Sequence, residues 1–204
     1  MFALVDKSDN SITKTLSGSQ GITLDGIQHP KAIFTLWSEA ERNAINIYTI
    51  EMETSKRKDE EWYINTNVTY SFDGSKVTGS YGDATARAHA DTTWTSQDKT
   101  DGKIPSDKDV GDLKEEGLKT KLIRTIKSQA ECELNKTDWY ITRKAEKDTA
   151  IPSAVSTHRD AVRSKQASME TSITNASDTP ALETLYARDE DGDRPLGELP
   201  TKDF

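Results

Sequence analysis

Cysteine is nearly absent from this 204-residue chain. The single Cys132 excludes an intrachain disulfide framework and leaves the compartment open. Its neighbours Glu131 and Glu133 disfavour a reactive thiolate. Apolar residues are scarce as well, at 33%, against about 45–50% (glycine included) in ordinary globular domains. No apolar run approaches the ~20 residues of a membrane-spanning helix. The apolar start MFALV is cut short by Asp6 and has no basic stretch before it, which reads against a signal peptide. Basic charge is in deficit: 27 Lys and Arg face 35 Asp and Glu, a net charge of −8, which argues against a nucleic-acid partner. A chain this polar has little apolar surface with which to offset its ordering entropy. An elongated subunit that completes its core by assembly has the same composition.

Catalytic signatures are missing too. There is no G-x-S-x-G, no Walker loop and no G-x-G-x-x-G. His29, His89 and His158 are far apart and share no ligand spacing with Cys132 or a carboxylate. Glu39, Glu41, Glu51 and Glu53 could pair as glycosidase carboxylates, but Glu51 and Glu53 lie two apart on a strand and read as a solvated face. The run Asp189-Glu190-Asp191-Gly192-Asp193 invites a calcium loop. With Gly192 at loop position six, however, position one is Ala187, and the run reads instead as an acidic tail. We therefore expect no catalytic residue, no metal site and no cofactor, and a protein that is not an enzyme.

What the chain does have is one long periodic region. Leu118, Leu122, Ile126, Ala130 and Leu134 recur every four residues, the line of one helix face, while Lys119, Lys121, Arg124 and Lys127 fall off it. Helicity breaks at Asn135-Lys136-Thr137-Asp138, where Thr137 or Asp138 can cap a new first turn. A short segment with Trp139, Tyr140 and Ile141 follows. Pro152 then opens a third segment with Val155, Val162, Met169 and Ala176 at heptad spacing. This predicts an antiparallel helical hairpin with a tryptophan-bearing elbow. The stripe is thin, interrupted by Lys165 and Gln166. Two readings stay open: packing against another copy or another protein, or a plain two-helix core closed by the N-terminal part of the chain.

The N-terminal part reads as strands. FALV, ITKTL and GITL alternate, with turns at Asp9-Asn10 and Gly18. Ser38 and Glu41 fit a capping box, and INIYTI favours a strand. Val68–Phe72 and Val77–Tyr81 flank Asp73-Gly74, the clearest hairpin signal in the chain. The expected fold is α+β, a small β-rich module joined by a linker to a helical hairpin. The expected divisions are 1–83 for the β module, 84–116 for the linker, 117–187 for the hairpin and 188–204 for an extended acidic tail, ordered if at all against a neighbour. Of the four tryptophans, Trp62 is expected in the core and Trp139 at an interface.

The run GLKTKLIRTIKSQAE followed by LNKTDWYITRKAEKDTAIPSAVSTHRDAVRS resembles the C-terminal region of a family of tailed-bacteriophage tail-fibre and tail-associated virion proteins. The motif positions are Thr137-Asp138-Trp139-Tyr140, Ala150-Ile151-Pro152 and His158-Arg159-Asp160-Ala161-Val162-Arg163. The stretches MFALVD, WSEAERNAINIY and NVTYSFDGSKVTGSY are similar to the family's earlier part, except that Asn46-Ile47-Tyr48-Thr49 lacks its proline. The resemblance implies a structural virion protein at the tail, baseplate or fibre attachment point. Its implied partners are other phage tail proteins and further copies of itself as a homo-oligomer. The alternatives are a tail-fibre assembly chaperone and a carbohydrate-binding module for host-surface glycan. The interface candidates are Trp139, Tyr140, Leu134, Val155, Val162 and Met169.

Overall fold

The computed structural model describes residues 1–204 and divides into two compact units, Met1–Thr85 and Ala86–Phe204. The fold is α+β, with strands concentrated in the first unit and long helices in the second.

The first unit holds β1 (Phe2–Asp6), β2 (Ser11–Leu16), β3 (Ile22–Leu24), β4 (Ile27–His29), α1 (Ile33–Leu36), α2 (Glu39–Ala44), β5 (Ile47–Glu53), β6 (Tyr63–Ile64), β7 (Thr69–Phe72) and β8 (Val77–Ser80). A two-residue strand, β9 (Thr85–Ala86), lies at the boundary. Five strands form one sheet in the order β2-β1-β5-β8-β7, antiparallel throughout except for the parallel pair β5–β8.

Alternation along these strands buries both faces of the sheet. Ala3, Val5, Tyr48, Ile50 and Val77 pack together on one face, with Ile12, Tyr70 and Phe72 against them. Phe2, Leu4 and Ile47 turn the other way, onto Ile33, Phe34 and the β3–β4 hairpin residues Ile22 and Leu24. Trp62 is buried, as expected from the sequence. The Ser38–Glu41 capping box is also present: Ser38 Oγ accepts from the Glu41 amide at 3.3 Å, and Glu41 Oε2 accepts from the Ser38 amide at 2.7 Å.

The Asp73-Gly74 turn closes the β7–β8 hairpin. Gly74 takes φ +99°, and Asp73 Oδ1 accepts from the Ser75 and Lys76 amides at 2.8 and 2.9 Å. The Lys76 amide, then the hydroxyl and amide of Ser75, pull the Asp73 carboxyl down to about 2. Gly79 on β8 is required by crowding, since a Cβ there would lie 2.7 Å from Met52 Sδ and 3.0 Å from the Tyr70 ring.

The second unit holds β10 (Thr92–Thr93), α3 (Ser96–Thr100), β11 (Leu113–Glu115), α4 (Leu118–Asn135), α5 (Asp138–Lys147), α6 (Ser153–Asn175) and α7 (Thr179–Tyr186). Helices α4 and α6 run antiparallel. Lys119 Nζ reaches the Thr174 carbonyl, Lys127 pairs with Glu170, and Glu133 meets His158, so the chain numbers rise on α4 as they fall on α6. Leu118, Ile126 and Ala130 on α4, and Val155, Val162, Met169 and Ile173 on α6, are all buried. No helix is long and apolar enough to cross a membrane.

Two expectations change here. The expected linker, residues 84–116, is built into the second unit from Ala86 onward. The carbonyls of Ala88 and His89 accept from the amides of Leu118 and Lys119, and Asp91 Oδ1 accepts from the Gly117 amide at 2.8 Å. These bonds satisfy N–H groups that the first turn of α4 cannot pair internally. Gly117 leaves no room for a side chain, because a Cβ would fall 2.3 Å from the Ala90 carbonyl carbon. Strands β10 and β11 pair antiparallel, Thr95 and Asp98 form a second capping box, and Lys114 bridges Asp98 at 2.8 Å. The segment is ordered by individual backbone and side-chain hydrogen bonds rather than by an apolar stripe.

The tail is ordered too, against its own unit. Leu196 is buried, its amide donates to the Leu185 carbonyl at 3.0 Å, and its carbonyl accepts from Lys165 Nζ at 2.9 Å. The lysine that interrupts the α6 stripe is therefore the residue that holds the tail.

Candidate functional site at the helical elbow

The residues around the break between α4 and α5 form two layers, one buried and polar, the other exposed and aromatic. The buried layer starts on the apolar line of α4. Glu133 lies three residues past Ala130 and seven past Ile126, so its carboxylate enters the core and is only 6% exposed. There Oε1 accepts from the Lys202 amide at 2.9 Å and lies 3.0 Å from His158 Nε2, while Oε2 pairs with Lys136. The Phe204 ring lies against the His158 imidazole, centroids 5.2 Å apart. Burial pushes the Glu133 carboxyl up. Lys136, the Lys202 amide and His158 together outweigh it and hold the group below its ordinary value.

Arg159, the next residue on α6, is also buried. Its Nη1 donates to the Leu134 carbonyl at 2.8 Å, to Thr137 Oγ1 at 2.7 Å and to Asp138 Oδ1 at 2.7 Å. Thr137 is completely buried and donates its own hydroxyl to the Leu134 carbonyl at 2.9 Å. Thr137 does occupy the N-cap position of α5, but neither it nor Asp138 caps the helix in the expected way, because both oxygens face Arg159. Asp138 still places a negative charge in the first turn, where the helix dipole favours it. One arginine thus ties the end of α4 and the start of α5 to α6.

The exposed layer is α5 itself. This ten-residue helix contributes no buried residue, although it carries Trp139, Tyr140 and Ile141. Trp139 is 51% exposed and Ile141 41%. The Trp139 and Tyr140 rings lie 3.9 Å apart at 34°, and the Arg143 guanidinium sits 4.6 Å from the first and 5.2 Å from the second. Helical spacing puts Trp139, Tyr140, Arg143 and Lys147 on one side, away from Asp138 and Ile141. Ile141 lines a hollow of about 140 Å³ with Ile151, Ser156, Arg159, Asp160 and Arg163.

The six interface candidates therefore separate. Trp139 is exposed and stacks with the half-buried Tyr140. Leu134 is half-buried at the elbow. Val155, Val162 and Met169, expected to face a partner, are at most 1% exposed and form the core of the unit, because α4 and the tail supply the apolar surface that the thin stripe lacks. His29 packs edge-on against Trp37 in the first unit, far in sequence from the elbow. In the acidic tail, Asp189 Oδ1 accepts from the Asp191 and Asp193 amides. No group of three or more His, Cys, Asp or Glu side chains is placed to hold a metal ion. Glu133, His158 and Arg159 were not singled out by sequence periodicity. The signal was present in Glu133 and His158, which fall on the apolar lines of their helices, where a solvated residue has no place. No protein-family model, no curated protein and no solved structure matches the chain.

Proposed function

We propose that this chain is a structural virion protein of a tailed bacteriophage, a tail, baseplate or fibre-attachment component that acts by protein–protein assembly and is not an enzyme. The observation that carries the reading is α5, an ordered helix pinned through Asp138 to the buried Arg159, with an exposed tryptophan stacked with a half-buried tyrosine and arginine. Aromatic and arginine side chains presented on a rigid element are the residue types that anchor protein interfaces. The resemblance in sequence centres on the same place, since Thr137-Asp138-Trp139-Tyr140 is its most distinctive stretch. The buried polar layer then serves to set the elbow, the Glu133 carboxylate and Arg159 Nη1 being engaged by the chain's own partners.

Mass spectrometry of purified particles tests the reading. The chain is expected among the virion proteins at a fixed ratio to the tail subunits. Its presence in infected cells but absence from particles would favour a tail-fibre assembly chaperone instead.

A further inference from the structure

The α5 surface faces solvent, and the same unit presents an acidic loop suited to cover it. We propose that a second copy of this chain docks its 189–193 loop on the Trp139–Tyr140–Arg143 face, which makes the protein a homo-oligomer. The proposal rests on the reading of α5 as an assembly surface and names the partner that this surface takes first.

Charge selects the occupant. On α5, Asp138 is engaged by Arg159 and Lys144 by Asp148, which leaves the exposed Lys147 and the half-buried Arg143 against the single acid Glu146. The cations closest to the elbow in sequence are committed elsewhere, Lys127 to Glu170 and Lys136 to Glu133. The Arg143 guanidinium lies 4.6 and 5.2 Å from the two ring centroids, and a guanidinium is the cation that suits a carboxylate.

In the loop, Asp189, Glu190, Asp191 and Asp193 are exposed. Neither flanking arginine pairs with a loop carboxylate: Arg188 donates to the Gly192 carbonyl and pairs with Glu198 at 2.9 Å, and Arg194 pairs with Glu198 at 2.7 Å. The loop is also shaped in advance. The Asp189 amide donates to the Asp193 carbonyl at 2.8 Å, Gly192 takes φ +84°, and Asp189 Oδ1 accepts two loop amides. Glu190, Asp191 and Asp193 are left to reach outward from a rigid turn, which keeps the ordering cost of docking low. A twofold pair uses the contact twice, and a head-to-tail arrangement uses it once per subunit.

Sedimentation equilibrium of the purified full-length chain, run across salt concentration, tests the proposal. The wild type is expected to exceed the 22.7 kDa chain mass and to dissociate as salt rises. Arg143→Glu and the pair Glu190→Lys/Asp191→Lys are each expected to weaken association by at least about tenfold, and combining them to restore it. Circular dichroism of each variant checks that the fold is kept. A wild type that stays at the single-chain mass at all salt concentrations overturns the proposal, as does a combined variant no tighter than either parent. Either result, together with loss of Trp139→Ala from particles, would leave the virion reading standing and remove only the self-docking.

Discussion

The Glu133 carboxylate and the His158 imidazole meet 3.0 Å apart, from positions 25 residues apart in the chain, and both side chains are more than nine-tenths buried. This contact, with the Arg159 bonds beside it, joins α4, α5, α6 and the C-terminal segment at one point. Removing the buried carboxylate leaves the Lys202 amide and the His158 ring without their partner, at a cost of about 1–3 kcal/mol for each buried polar group left unsatisfied. Glu133→Ala is therefore expected to lower thermal stability strongly. Glu133→Gln should cost less, because its amide oxygen can still accept from the Lys202 amide. Thermal unfolding of the two variants by circular dichroism checks the order.

Acid should begin to erode the fold once the pH falls below the ordinary carboxylate value. The carboxyls of Asp73, Asp98 and Glu133 are all lowered in the folded chain, Asp73 to about 2 by its hydrogen bonds to Lys76 and Ser75. For Asp98 the main causes are Lys114 and then Thr95. A depressed folded value contributes stability that is fully present above the unfolded value of about 4 and is lost as pH falls through the folded one. Ellipticity is expected to hold from pH 7 to about 4 and to decline from there towards pH 2. Asp98→Asn should shrink the part of the acid-sensitive stability that this capping box supplies.

Two glycine substitutions should differ in severity for a geometric reason. At Gly79 an added Cβ meets the Met52 sulfur, at the end of a flexible and partly exposed side chain, and the Tyr70 ring. At Gly117 it meets the backbone of Ala90 and Asp91, with the nearest atom at 2.3 Å. Overpacking costs about 1–3 kcal/mol, and backbone yields less readily than a thioether. Gly117→Ala is expected to be the more destabilising in urea unfolding. It should also raise hydrogen exchange in residues 86–93, which its displacement would loosen.

The deepest part of the helical core gives a reference for these effects. Met169 is 1% exposed on α6. Met169→Ala is expected to cost about 2–5 kcal/mol, the range for large-to-small changes in packed interiors, and to shift the urea midpoint without changing the slope.

The sequence made much of this legible wherever local chemistry decides. Asp73-Gly74 announced its hairpin, Ser38 and Glu41 their capping box, and the four-residue recurrence from Leu118 the first long helix. Residues 86–116 were misread because their order depends on single bonds such as Asp91 to Gly117, which leave no period in the sequence. The tail was misread because Leu196 finds its cover through Lys165, 31 residues earlier. The buried node at the elbow escaped for the same reason: Arg159 reaches Thr137 and Asp138 across 22 and 21 positions, and periodicity treats each charged residue as solvated. Trp139, expected at an interface, is 51% exposed in the unit.

Trp139→Ala separates folding from assembly. The side chain is 51% exposed, so its truncation should cost the fold no more than about 1 kcal/mol, mostly the stacking with Arg143. As an interface anchor it should be worth at least about 2 kcal/mol. The decisive measurement is the amount of Trp139→Ala chain incorporated into purified particles, set beside its melting curve. An assembly role for α5 predicts a nearly unchanged melt and at least a tenfold loss from particles. Normal incorporation with an unchanged melt would contradict it.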